Sequence, residues 1–230
     1  MNLKSLTAKL FVKNRKLYSG TAWICSDRYV LTAAHCVVDL KKPEVYRGPF
    51  RLLFPWNEIV SDEIVWLDTI LDVALLGIDP NAVTQIADEI RQLRSNPKPG
   101  KQANDNKEWS AYGFPFANQT GLTIDGTISD YFAKITERST PAIQLLCNQG
   151  GFLANYDSEG QPVDAGTSKI TALTGASGGA VVQDGEVIGL VRSGPPKLGN
   201  KVVFATPLDV IAEKSSQVAE VLQQHRDNHI

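Results

Sequence analysis

Residues 31–36 read LTAAHC, an apolar run that ends on a histidine and is followed at once by a cysteine. A histidine placed this way has three readings: a satisfied residue of the core, half of a metal site, or a base waiting for a nucleophile elsewhere in the chain. The metal reading is weak. The adjacent side chains of His35 and Cys36 point apart, and no second Cys/His pair with zinc spacing occurs in the sequence. His225 and His229 stand four apart, but in a polar terminus beside Arg226 and Asp227. Neither a metal nor a cofactor is expected.

The nucleophile, if there is one, lies in TALTGASGGAVV, residues 171–182. Ser177 is framed by Gly175 and by Gly178-Gly179. Glycines let the backbone fold tightly and aim amide hydrogens inward. A serine alkoxide attacking a carbonyl needs such amides to receive the developing negative charge. Read alone, the stretch is equally a glycine-rich turn with an incidental serine. A third group is needed to fix the imidazole tautomer and stabilise the imidazolium. LDVALL, residues 71–76, offers Asp72 directly before a buried run, a costly place for a charge unless something pairs with it. Read alone, Asp72 is a surface aspartate at a strand start.

The surrounding texture is mostly strand. AKLFVK, SGTAWICS, YVLTAA, FRLLFPW, DEIVWLD and DVALLGI fall within residues 8–78 and are separated by polar or Gly/Pro punctuation. They predict a compact barrel or sandwich of about six strands over 1–80. NAVTQIADEIRQLRS then places Val83, Ile86, Ile90 and Leu93 on one helical face, with Asn81 as a cap, in a connector over 81–107. Strand texture resumes over 108–207 with EWSAYGFP, GTISDYFAKI, AIQLLCNQ, GAVVQDGEVIGLVRSG and KVVFATP. Asp184-Gly185 between two β-branched runs predicts a two-residue hairpin loop. An amphipathic helix is expected over 208–230, broken near Lys214 to Ser216, its apolar face packed on the second barrel or offered to a partner.

TAAHC, DVALL and GASGG thus occur in the order His, Asp, Ser, the first two in one β-half and the third in the other. In these motifs the chain resembles the chymotrypsin/trypsin-like serine proteases, over about residues 8–207. The resemblance implies an all-β fold of two six-stranded antiparallel barrels. It implies His35 as general base and then general acid, Asp72 as its orienter and Ser177 as nucleophile. The backbone N–H groups of Gly175 and Ser177 would form the oxyanion hole, and peptide bonds would be cleaved through an acyl-enzyme. It also implies a substrate pocket walled by Thr171, Ala172, Arg192, Ser193 and Gly194.

Three departures qualify the resemblance. Secreted relatives carry an aspartate before the nucleophile that pairs with a new N-terminus; here Ala176 stands there, which resembles the bacterial and intracellular branch. The family partner of Cys36 would fall at Gly20, so Cys25, Cys36 and Cys147 are expected to be free thiols. Losing a bridge costs about 2–5 kcal/mol, which packing must offset. No acid stands at Thr171, so a preference for Lys or Arg is not expected, while Arg192 could favour an acidic residue or pair with Asp72 from the side.

Composition narrows the setting. A net charge of -2 provides no electrostatic reason to expect nucleic acid or an anionic membrane as partner. No run approaches the roughly 18 apolar residues of a membrane span. The lysine-interrupted N-terminus has no signal-peptide core, and three sparse cysteines favour a reducing compartment. A cytoplasmic, bacterial serine endopeptidase acting on a protein or peptide substrate is expected, under the control of a regulatory protein partner. Two alternatives stand beside it. One is a silent binding module on the same fold. The other is an α/β-hydrolase esterase, since GASGG also fits G-x-S-x-G, but that motif needs a helix after the serine.

Overall fold

The computed structural model describes residues 2–12, 19–40, 42–46, 48–91, 107–115, 118–135, 140–148, 155–156, 162–163, 173–193 and 201–227. Its first half contains β1 (Thr7–Val12), β2 (Gly20–Ile24), β3 (Tyr29–Thr32), β4 (Val38–Asp39), β5 (Lys42–Tyr46), β6 (Phe50–Leu53), β7 (Glu58–Ser61), β8 (Ile64–Asp68) and β9 (Val73–Gly77). Seven of these form one antiparallel sheet in the order β7-β6-β1-β2-β3-β9-β8, while β4 and β5 pair apart. The sheet's edges, β7 and β8, are consecutive in the chain with only Asp62 and Glu63 between them. β2 is buried at all five positions, because both of its faces are covered. β6 and β7 instead alternate buried with exposed residues, as strands with one wet face do. β7 escapes a reading by apolar runs because EIVS holds only two apolar residues.

The second half contains β10 (Glu108–Gly113), β11 (Leu122–Ile135), β12 (Thr140–Cys147), β13 (Asn155–Tyr156), β14 (Pro162–Val163), β15 (Ala180–Gln183), β16 (Glu186–Ser193) and β17 (Val202–Pro207). Six of these close a barrel in the order β10-β11-β12-β17-β16-β15, sealed where Ser110 and Ala111 pair with Val182 and Val181. Closure removes the unpaired edges of an open sheet. The 14-residue β11 bends around this barrel through register shifts between Ile128 and Ala133. Asp184 and Gly185 form the expected two-residue loop, with φ of 50° and 81° and Gln183 opposite Glu186. Two positive φ values give the turn whose twist suits a hairpin. Trp109, Ile128, Ile143, Leu145 and Val203 pack the barrel interior. Two all-β halves, one a closed six-stranded barrel, make the double-barrel architecture that the resemblance implies.

The connector begins with a 3-10 helix, Pro80–Ile86, and continues as a helix over Ala87–Arg91. Its cap is Asp79, whose carboxylate accepts the Asn81 N–H at 2.9 Å, and not Asn81 itself. Asp79 precedes Pro80, whose missing N–H suits the first helical position, so the helix starts two residues earlier than its apolar face suggests. Val83, Ile86 and Ile90 are buried; Leu93 lies outside the described residues. At the C-terminus, helices Leu208–Lys214 and Ser216–Asp227 meet at Ser215. The first touches β16 and β17 of the closed barrel. Their apolar residues Leu208, Ile211, Val218, Val221 and Leu222 also join the core of the first half, together with Ala180, Val182, Val187 and Leu190. These helices are therefore shared between the halves and do not pack on the second barrel alone. Among the described residues no helix is long and apolar enough to cross a membrane.

Candidate active site

Asp72 reaches the site on a turn between β8 and β9. Asp68 Oδ1 accepts the N–H groups of Ile70 and Leu71, each at 2.8 Å, which curls the chain. Asp72 then adopts φ 61°, a left-handed conformation that aspartate tolerates better than most residues. Its side chain is only 5% exposed, so its charge needs partners. Oδ1 accepts the His35 backbone N–H at 2.9 Å, and Oδ2 lies 2.8 Å from His35 Nδ1. The Asp72 carbonyl accepts the Ala34 N–H at 3.1 Å. Asp72 therefore holds both the backbone and the ring of His35. An ionised carboxylate can only accept, so in the neutral imidazole Nδ1 carries the proton and Nε2 the lone pair.

The His35 pKa is raised above its usual value. The charge of the Cys36 sulfur, when ionised, is the largest influence; burial opposes it, and the hydrogen bond to Asp72 adds to the rise. Cys25, Cys36 and Cys147 are all buried thiols outside any disulfide. A Cβ built on Gly20 would meet Cys36 Sγ, so residue 20 faces Cys36 closely but offers no sulfur.

Ser177 sits in a loop that enters β15. Gly175 and Gly178 adopt φ of 99° and 91°, open to glycine at no steric cost. Within the loop, the N–H of Ala176 donates to Leu173 O at 3.0 Å, that of Gly178 to Val191 O at 2.7 Å and that of Gly179 to Ala176 O at 3.0 Å. Among the described residues, the N–H groups of Gly175 and Ser177 have no acceptor. Amides left over in an otherwise saturated loop can receive a negative charge without breaking a bond. The Ser177 carbonyl accepts the Thr21 N–H at 2.8 Å and lies 3.9 Å from Cys36 Sγ, which puts the loop against the residue next to His35. Ser177 Oγ makes no hydrogen bond among the described residues, to His35 or otherwise.

Thr21, fully buried in β2, is the residue that sequence reasoning missed. Its hydroxyl donates to Gly175 O at 2.7 Å and accepts the Phe114 N–H at 3.1 Å, while its own N–H holds Ser177 O. One threonine of the first half thus holds the carbonyls of both residues that flank Ala176. Thr21→Val keeps the shape and deletes the hydroxyl, leaving two buried backbone groups unpaired at about 1–3 kcal/mol each. The variant is expected to lose about 2–4 kcal/mol in urea unfolding, whereas Thr21→Ser stays near wild type. Equal midpoints for Val and wild type would show that the loop is held by something else.

Of the expected pocket residues, Thr171, Ala172 and Gly194 lie outside the described residues. Ser193 pairs with Phe204 at the end of β16. Arg192 is 4% exposed, and its guanidinium turns toward Asp72, with Nε 3.8 Å from Oδ2, rather than standing in solvent. The chain beyond Ser177 enters the strand Ala180–Gln183, not a helix, so the α/β-hydrolase alternative is excluded.

The trypsin-like peptidase domain family matches residues 20–190, most of the chain and all three motifs. No curated protein matches. Among solved structures, an inactive form of the Rv3671c protease of M. tuberculosis is similar at 15% identity and a TM-score of 0.60, covering 95% of this chain and 88% of that one. The serine endoprotease of Yersinia pestis is similar at 18% identity and a TM-score of 0.61, with 96% and 64% covered. The HtrA-type protease AlgW, solved with a tripeptide, is similar at 20% identity and a TM-score of 0.64, with 91% and 58% covered. The chain therefore spans less than two thirds of the length of the latter two. With LTAAHC, LDVALL and GASGG inside the matched span and both β-halves built as described, the chain belongs to the trypsin-like peptidase domain family and is a serine endopeptidase.

Proposed function

We propose that His35, Asp72 and Ser177 work as one triad that cleaves peptide bonds through an acyl-enzyme. The observation that carries this reading is the double grip of Asp72 on His35, which sets the tautomer with the lone pair on Nε2. His35 takes the Ser177 hydroxyl proton as Oγ bonds to the substrate carbonyl carbon. The oxyanion is received by the N–H groups of Gly175 and Ser177. His35 then returns the proton to the leaving amine as the C–N bond breaks, and water repeats the sequence on the ester. A serine side chain turns between rotamers at small cost, so the contact between Oγ and the imidazole closes on substrate binding.

The substrate is a protein or peptide laid along the end of β16, and the family resemblance assigns Thr171, Ala172, Ser193 and Gly194 to the pocket for one of its side chains. No acid is available at position 171 to select Lys or Arg. Three thiols outside any disulfide fit a cytoplasmic, bacterial setting, where a regulatory protein would restrain the activity. The test has two parts. A fluorophosphonate probe should phosphonylate Ser177 Oγ with loss of fluoride, and cleavage-site profiling of a proteome with wild type against Ser177→Ala should return sites that only wild type makes. A chain that binds peptides but shows no labelling and no such sites is the silent binding module.

A further inference from the structure

We propose that Arg192 is a positioning residue for this site: its buried guanidinium fixes the turn that carries Asp72 and draws part of the Asp72 charge away from His35. This rests on the triad reading above. Arg192 projects from β16 of the closed barrel, yet two of its contacts are in the first half. Nη2 donates to Ile70 O at 2.9 Å, and Nε lies 3.8 Å from Asp72 Oδ2. Nη1 donates to Thr140 Oγ1 of β12 at 2.9 Å. The planar fork spans three groups at once, which the point charge of a lysine cannot do.

The position of Asp72 depends on that turn. Its conformation is left-handed, and the carbonyls just before it are held from across the interface: Ile70 O by Arg192 and Leu71 O by Thr206 Oγ1 at 2.9 Å. The closed barrel therefore aims the carboxylate that the first half supplies. The charges complete the picture. Asp72 Oδ2 meets both His35 Nδ1 at 2.8 Å and Arg192 Nε at 3.8 Å, and the Cys36 sulfur also acts on the imidazole. A cation beside the carboxylate weakens its pull on a proton at the imidazole and so opposes the rise in the His35 pKa. With 4% exposure and with Thr140, Ile70 and Asp72 around it, the guanidinium is also not placed to meet an acidic substrate side chain.

The test is an NMR titration of the His35 ring, assigned by its loss in His35→Gln, in full-length protein. Arg192→Met should move the titration upward by about one pH unit, from the loss of one positive charge beside Asp72. Arg192→Gln, which keeps a donor and loses the charge, should do the same and serves if the Met variant does not fold. Arg192→Lys should stay within a few tenths of a unit. Thr206→Val loosens the same turn without a charge and should move the titration by clearly less than either neutral Arg192 variant. A titration unmoved in both neutral variants, or moved equally by Thr206→Val, overturns the proposal. So does a selective rise in KM for acidic substrates in Arg192→Lys, which would make Arg192 a pocket residue. The titration needs no turnover, so it can fail while Ser177 still labels, and it can succeed on a protein that hydrolyses nothing.

Discussion

Ser177→Ala and His35→Ala are each expected to lower kcat on a cleaved peptide by about 10⁴- to 10⁶-fold, and the double variant to be no worse than either. In the proposed triad both groups act on one proton in one step, so losing either disables the transfer and losing the second removes nothing further. On the same proposal the activity that survives comes from substrate binding and from the Gly175 and Ser177 amides. Ser177→Ala should leave folding nearly untouched, because Ser177 Oγ makes no hydrogen bond among the described residues, whereas His35→Ala takes from the buried Asp72 carboxylate its partner at 2.8 Å and should also cost stability. Steady-state kinetics beside thermal melts checks both halves of the statement. Additive losses in the double variant would mean that the two residues serve separate steps, and the triad reading would fall.

Gly178→Ala should do the reverse damage, unfolding the protein rather than disarming it. At φ 91° any L side chain is strained. A Cβ there would also meet Thr21 O, with Thr32 Oγ1 at 2.6 Å and Ala33 N at 3.0 Å. Two of the three are backbone, and Thr32 is tied in turn to Thr21 O at 2.7 Å, so none can step aside. We expect a loss of about 3 kcal/mol or more, a fall in Tm of roughly 6–12 °C for a chain of this size. Gly185→Ala is the matched control. Its φ of 81° is similar, but nothing lies within 4 Å of the added Cβ, so only the conformational cost of about 1 kcal/mol applies. Equal melting shifts for the two would show that φ alone, and not the seam against β2, limits position 178.

Much of this molecule is readable along the chain, because its signals are local. The strand alternation, the Asp184-Gly185 loop, the break at Ser215 and the motifs around residues 35, 72 and 177 each depend on neighbours a few positions away. So does the substitution of Ala176 for an acid, and so do three cysteines without a bridge. Thin local signals mislead: EIVS is too short to announce β7, and the apolar face of the connector points to Asn81 while the proline marks Asp79 as the cap.

The tertiary structure decided how the local pieces act on one another. Asp72 reaches His35 across 37 residues, Thr21 reaches Gly175 across 154, and Arg192 reaches Ile70 across 122. A threonine in an apolar strand looks like any β-branched residue until the facing carbonyl is known, and an arginine beside a pocket strand looks like a specificity residue until the guanidinium's direction is seen. Sequence by itself determined which residue types stand where and which faces are apolar. Only the docking of one β-half on the other decided which buried donors meet which acceptors, because a buried polar group takes the partner that packing brings to it.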